Sequence, residues 1–166
     1  MKNFLRSLLL TCIWLGFASP QHMQKQEMSK DTTVHALNLK FENLKWNKIV
    51  PELGDRSSEI TILRVDPKTK ATQLMIRVPK NFHVPMHWHT ANETHTVISG
   101  TFIMECDGLR DTLRTGGFNY VPNKMHHQAW TTEDEGSLLF ITVDKAWDMN
   151  WVGGPPKPED FLRNGR

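Results

Sequence analysis

Three imidazoles and a carboxylate are the side chains in this 166-residue chain best suited to do chemistry: His87, His89, Glu93 and His127. They lie in His87-Trp88-His89-Thr90-Ala91-Asn92-Glu93 and in Pro122-Asn123-Lys124-Met125-His126-His127. Imidazole nitrogens with a carboxylate oxygen form a ligand set for one divalent transition metal. Imidazole suits Fe, Zn, Ni and Cu, and the carboxylate suits Mn as well, so the residue types leave the metal open. The spacing fits strands. Two histidines one residue apart face the same side of a strand, whereas residues sharing a helix face are three or four apart. Pro85, just before them, also opposes a helix interior.

The elements around these residues read as short strands with turns between them. Glu59–Val65 and Ala71–Val78 are β-branched and apolar, and Asp66-Pro67-Lys68-Thr69-Lys70 forms a turn between them. Glu93–Ser99 reads as a strand that Gly100 breaks. Thr101–Cys106 and Leu109–Arg114 flank Asp107-Gly108, a strong two-residue hairpin signal. Phe118–Val121, His126–Thr132 and Ser137–Asp144 follow. There is no convincing amphipathic helix and no internal repeat. The expected fold is all-β, a single antiparallel barrel or jelly roll.

Period-2 alternation then sorts the neighbours of the ligand set. His95 shares a strand face with Glu93 and is a candidate acid–base group in the pocket. Phe102, Met104 and Cys106 form the inward face of their strand, because Glu105 on the other face should stay wet. Ala129 and Thr131 share the face of His127. The expected pocket wall is Phe102, Met104, Ala129 and Thr131, which suits a small organic ligand. Trp88 and Trp130 point the other way, as packing. His83 lies in a loop leading to the site and is expected to face solvent. His126 points opposite to His127, and a one-residue register slip would exchange them.

The two stretches together resemble the cupin superfamily. The first cupin motif, His-x-His, three residues, Glu, six residues, Gly, is matched by His87, His89, Glu93 and Gly100. The second, Gly, five residues, Pro, and His five beyond, is matched by Gly116, Pro122 and His127. The distance from Pro122 selects His127 over His126. The sequence departs from the family at Asn81 and Lys124, where glycine is usual, and at Thr131, where asparagine is usual. The likeness is greatest to small single-domain bacterial cupins. It implies a β-barrel in which His127 arrives from a strand across the barrel, and open metal positions for water, oxygen or substrate. It also implies a metal-dependent enzyme acting on a small organic molecule, with oxygenation as the leading reaction, or else a non-catalytic binding or sensing protein. Pairing into a homodimer through edge strands is a further expectation from the family.

The ends set the remaining expectations. Lys2 and Arg6 precede the apolar Leu8–Ala18, which reads as a secretory leader cut after Ala18. That run is too short to span a membrane, so no stable insertion is expected once the leader is gone. The chain carries 20 Lys and Arg against 18 Asp and Glu; the leader removes two cations and no acid, leaving 18 against 18. Without a basic patch, nucleic acid is not an expected partner. The expected divisions are a leader over 1–18, a polar lead-in over 19–36, a barrel over 37–152 and a Gly/Pro-rich tail over 153–166. Phe161 and Leu162 are the tail residues suited to dock back. Export to the periplasm or medium follows from the leader, and Cys106, the one cysteine beyond it, reads as a small packing residue.

Overall fold

The computed structural model describes residues 35–162. The expected leader and nearly all of the lead-in lie outside the described residues. A compact unit begins at Asn38. Its strands are β1 (Asn47–Lys48), β2 (Glu59–Val65), β3 (Thr72–Val78), β4 (His83–Trp88), β5 (Glu93–Cys106), β6 (Leu109–Arg114), β7 (Phe118–Val121), β8 (His127–Trp130), β9 (Ser137–Val143) and β10 (Asn150–Trp151). All the recorded pairings are antiparallel, in the order β1-β2-β3-β9-β5-β8-β4-β10, with β6 and β7 also on β5. The result is a curled, barrel-like all-β fold. Among the described residues no helix is long and apolar enough to cross a membrane.

β5 holds the fold together. Its first half, from Glu93, pairs with β7 and β9, and its second half, to Cys106, pairs with β6 and β8. The strand was expected to break at Gly100; instead it bends there and continues. The register shifts between Val97 and Ser99, and Gly100 takes φ 81°. A Cβ at Gly100 would sit 2.0 Å from the carbonyl oxygen of Gly136, so only glycine fits this bend. The Asp107-Gly108 hairpin forms with φ values of 50° and 74°.

Alternation places the core. β9 buries every second residue, among them Leu139, Ile141 and Val143, and β3 buries Leu74, Ile76 and Val78 against them. Both strands are apolar on the inner face because burying a large aliphatic side chain stabilises the fold by about 1.5–3 kcal/mol. After β10 the chain turns back over Pro158–Phe161. Phe161 is buried on Phe82 and Trp151, with ring centroids 5.7 Å apart in each pair, and Leu162 bridges to Phe82.

Two of the family's usual glycine positions carry larger residues here, in a glycine-like conformation. Asn81 has φ 54° and Lys124 has φ 62°. Asparagine tolerates this region; lysine meets a steric penalty there. The Lys124 turn is held by its backbone N–H, which donates to the carbonyl of His89 at 2.8 Å.

Candidate metal centre

His87 lies near the end of β4, His89 just past it, Glu93 opens β5 and His127 opens β8. All four are buried. Strand alternation turns His87 and His89 to one side, as the spacing predicts. His127 does not come from across the barrel. β8 is the direct neighbour of β4, and His127 is the register partner of His87. Their rings are therefore 4.1 Å apart between centroids. The motif spacing could not distinguish an adjacent strand from an opposite one. His126 is exposed.

The hydrogen bonds fix the ring tautomers. Nδ1 of His87 lies 2.7 Å from the carbonyl of Pro85, and Nδ1 of His127 lies 3.0 Å from the carbonyl of Met125. Nδ1 of His89 meets the carbonyl of Asp148. A carbonyl only accepts, so each Nδ1 carries a hydrogen, and Nε2 presents a lone pair wherever the ring is neutral. A ring nitrogen from each histidine lies within 4.8 Å of the other two. Glu93 Oε2 stands 3.0 Å from His89 Nε2 and 4.0 Å from His127 Nε2. Both Glu93 Oε2 and His127 Nε2 are buried without a hydrogen-bond partner. Acceptors converging without a donor are unfavourable unless a cation sits among them. The three histidines can hold a metal ion, and donating the second ring N–H to a carbonyl is the usual way a ligating histidine is oriented.

The electrostatics agree with that reading. Burial, reinforced by the field of His127 and then of His89, keeps the pKa of His87 well below its ordinary value. Burial likewise brings His127 down to about 4. Burial alone would raise Glu93, but His95 and His89 outweigh it and hold the carboxyl at about 2. His89 is the exception: burial lowers it, yet its contact with Glu93 prevails and raises it above the usual imidazole value. Burial thus favours the neutral rings of His87 and His127, while the contact with Glu93 favours the protonated ring of His89 opposite that carboxylate.

His95, read as a pocket group, is buried with Nε2 3.3 Å from Glu93 Oε2 and Nδ1 2.9 Å from Asn119 Oδ1. Burial lowers its pKa. Phe102, Met104 and Ala129 line the same cavity. Thr131, expected on that wall, is not among the lining residues. Its hydroxyl donates to the carbonyl of Pro79 at 2.6 Å and accepts the N–H of Phe82 at 3.0 Å, so it ties strands together instead. His83 is not free in solvent either: it stacks on Trp130 at 5.1 Å and lies 2.8 Å from the carbonyl of Asp160. Burial raises the Cys106 thiol, which opposes a nucleophilic role.

Phe161 docks back as expected, but the sequence reading missed the other residues that close the cavity, Trp147, Met149 and Trp151. Trp147, Met149, Trp151 and Phe161 line it from the C-terminal segment, and Trp147 Nε1–H donates to Glu93 Oε1 at 3.2 Å. Trp147, Met149 and Trp151 stand two residues apart. That period-2 spacing of large apolar residues was the available signal that one face of this segment would be buried.

An antiparallel barrel with an inward His–His–His–Glu cluster defines the molecule as a cupin. The ChrR cupin-like domain family matches residues 34–146, and the chain belongs to that family. No curated protein matches it in sequence. Among solved structures, an RmlC-like cupin from Shewanella frigidimarina is 20% identical, with a TM-score of 0.56 over 65% of this chain and 89% of that one. DMSP lyase DddQ from Ruegeria pomeroyi is 14% identical, with a TM-score of 0.57 over 68% of this chain and 64% of the lyase. A mutant of Bacillus subtilis oxalate decarboxylase is 17% identical, with a TM-score of 0.55 over 69% of this chain and only 30% of the decarboxylase. At such identities the likeness is one of fold.

Proposed function

We propose that this chain is a metal-dependent enzyme acting on a small organic molecule. The observation that carries the reading is the convergence of three histidine ring nitrogens and a carboxylate oxygen in a buried cavity. His87, His89, Glu93 and His127 would hold one divalent metal, which supplies Lewis-acid or redox chemistry when bound. The apolar wall around the cluster excludes bulk water and strengthens every charge interaction inside. Glu93, held between Trp147 and His95, fixes the negative charge of the site on one side. His95 has Nδ1 beside Asn119 Oδ1 and Nε2 3.3 Å from Glu93 Oε2, so it would take or give a proton at the substrate in concert with that carboxylate.

Oxygenation is the reaction type we place first, because histidine nitrogens with a single carboxylate suit iron and its redox chemistry. The fold also occurs in proteins named as a lyase and a decarboxylase, which supports enzymatic use of this scaffold. Metal analysis should find about one divalent ion per wild-type chain and little in His87→Ala/His89→Ala; equal occupancy refutes the assignment. Oxygen consumption with candidate phenols, thiols and keto acids then tests the chemistry, and turnover unchanged in metal-free protein rejects it. Tight retention of a ligand without product would favour a binding protein. We also propose export through the leader over 1–18, checked by whether the exported chain begins at Ser19.

A further inference from the structure

The cavity holds its titratable groups together and nothing charged elsewhere. His87, His89, Glu93, His95 and His127 supply every ionisable side chain among the described residues that line it; no lysine, arginine or aspartate does. The rest is apolar with one exception, Ser58, which the metal reading does not use. Ser58 is 4% exposed, lines the cavity, and its Oγ has no hydrogen-bond partner. A buried hydroxyl without a partner costs free energy unless a ligand or water completes it.

Register locates Ser58 relative to the histidines. Glu93 pairs with Val143, which pairs with Thr72 at the start of β3. Ser58 immediately precedes Glu59, the partner of Arg77, and so stands beside Val78 at the far end of β3. The strand distance between those ends is about 20 Å, before the inward reach of the side chains shortens it. Between the two lie Ile76, Leu139 and Ile141, all lining the cavity. The centre of a water-sized sphere can explore only about 50 Å³ of this space. A single water needs roughly 10–15 Å³ on that measure, so the passage is narrow.

We propose that the cavity takes a slender, uncharged, largely apolar molecule. Its polar head meets the histidine end, and an uncharged oxygen farther along pairs with Ser58 Oγ. This rests on the metal reading for the head alone. A second charge on the ligand would be buried among aliphatic side chains with no counter-charge, and such groups are strongly disfavoured. Ser58 is a specificity residue in this scheme.

The test is calorimetric binding to the intact metal-loaded chain, with metal content measured first. The probes are straight-chain alcohols and α,ω-diols of about six to ten carbons, the range the strand spacing suggests, together with the matching α,ω-dicarboxylates and ω-amino alcohols, each of which must put a charge at the far end or on the cationic metal. The diols should bind best, and both charged-end series should bind at least about tenfold more weakly. Ser58→Ala should weaken diol binding by about three- to tenfold, the worth of one hydrogen bond, and leave the plain alcohols within about twofold. Charged-end probes binding as well as the diols, equal effects of Ser58→Ala on diols and alcohols, or no binding of any uncharged probe each overturn the inference. Should Ser58→Ala fail to fold, the wild-type comparison of charged with uncharged probes decides it alone. A chain that takes up no metal yet still discriminates between the probes rejects the metal reading and leaves this inference standing.

Discussion

Replacing Trp147 by Phe removes one hydrogen-bond donor while keeping an aromatic ring at the cavity mouth. Glu93 is 1% exposed, and Trp147 Nε1–H is the donor to its Oε1, at 3.2 Å. A hydrogen bond to a charged group contributes about 1.5–3 kcal/mol. The bond is long and the indole half-buried, so the lower part of that range applies, about 1.5–2 kcal/mol. For a folded unit of this size the loss corresponds to a melting-point drop of about 5–8 °C in the metal-free protein. The carboxylate would also lose the contact that fixes its rotation, and metal affinity should fall about tenfold, the low end for groups that orient a ligand. Trp151→Phe is the control: its ring meets His87 at 5.5 Å, a packing contact that phenylalanine can largely replace. Scanning calorimetry on both variants, with competitive chelator titration, measures the two effects. If Trp147→Phe melts within a degree of wild type and binds metal equally well, Trp147 does not position Glu93, and the argument fails.

Three other outcomes follow from the geometry. His95→Gln should retain metal stoichiometry but lose turnover by about 10²-fold or more, with a shifted pH profile; retained turnover removes His95 from the proton transfer. Metal uptake should release a proton from His89, increasingly so as pH falls, because His89 is raised above its ordinary value while His127 at about 4 and Glu93 at about 2 are already deprotonated. Coordination requires the unprotonated ring, so affinity falls as pH drops below the raised value of His89, by about tenfold per pH unit. Titrations at about pH 6 in buffers of different ionisation enthalpy count the proton, and a count of zero there contradicts the assignment. Lys124→Gly should stabilise the fold by about 0.5–1 kcal/mol in denaturant unfolding, since relief of the positive-φ penalty exceeds the added chain entropy. Destabilisation would mean that the lysine side chain contributes more than its backbone strain costs.

Much of the site was legible because strand alternation is local. The two-residue period turned His87 and His89 to one side, and put His95 with Glu93, without any knowledge of partners. The same logic identified Phe102, Met104 and Ala129 as cavity wall. It overreached at Thr131, where the hydroxyl had closer acceptors and donors in Pro79 and Phe82. It also read Gly100 as an end, since local propensity does not show that β5 has partners on both sides of the bend.

The sequence by itself determined the candidate ligand types, their spacing, the hairpin at Asp107-Gly108 and the all-β class, because each depends on residues close along the chain. The tertiary structure alone decided which strands are neighbours. That placed His127 beside His87, brought Trp147 to Glu93 across 54 positions of sequence, and left Ser58 open to the cavity. Such contacts are set by sheet order and closure, to which periodicity along one strand is blind: it says which way a side chain points and not what it meets.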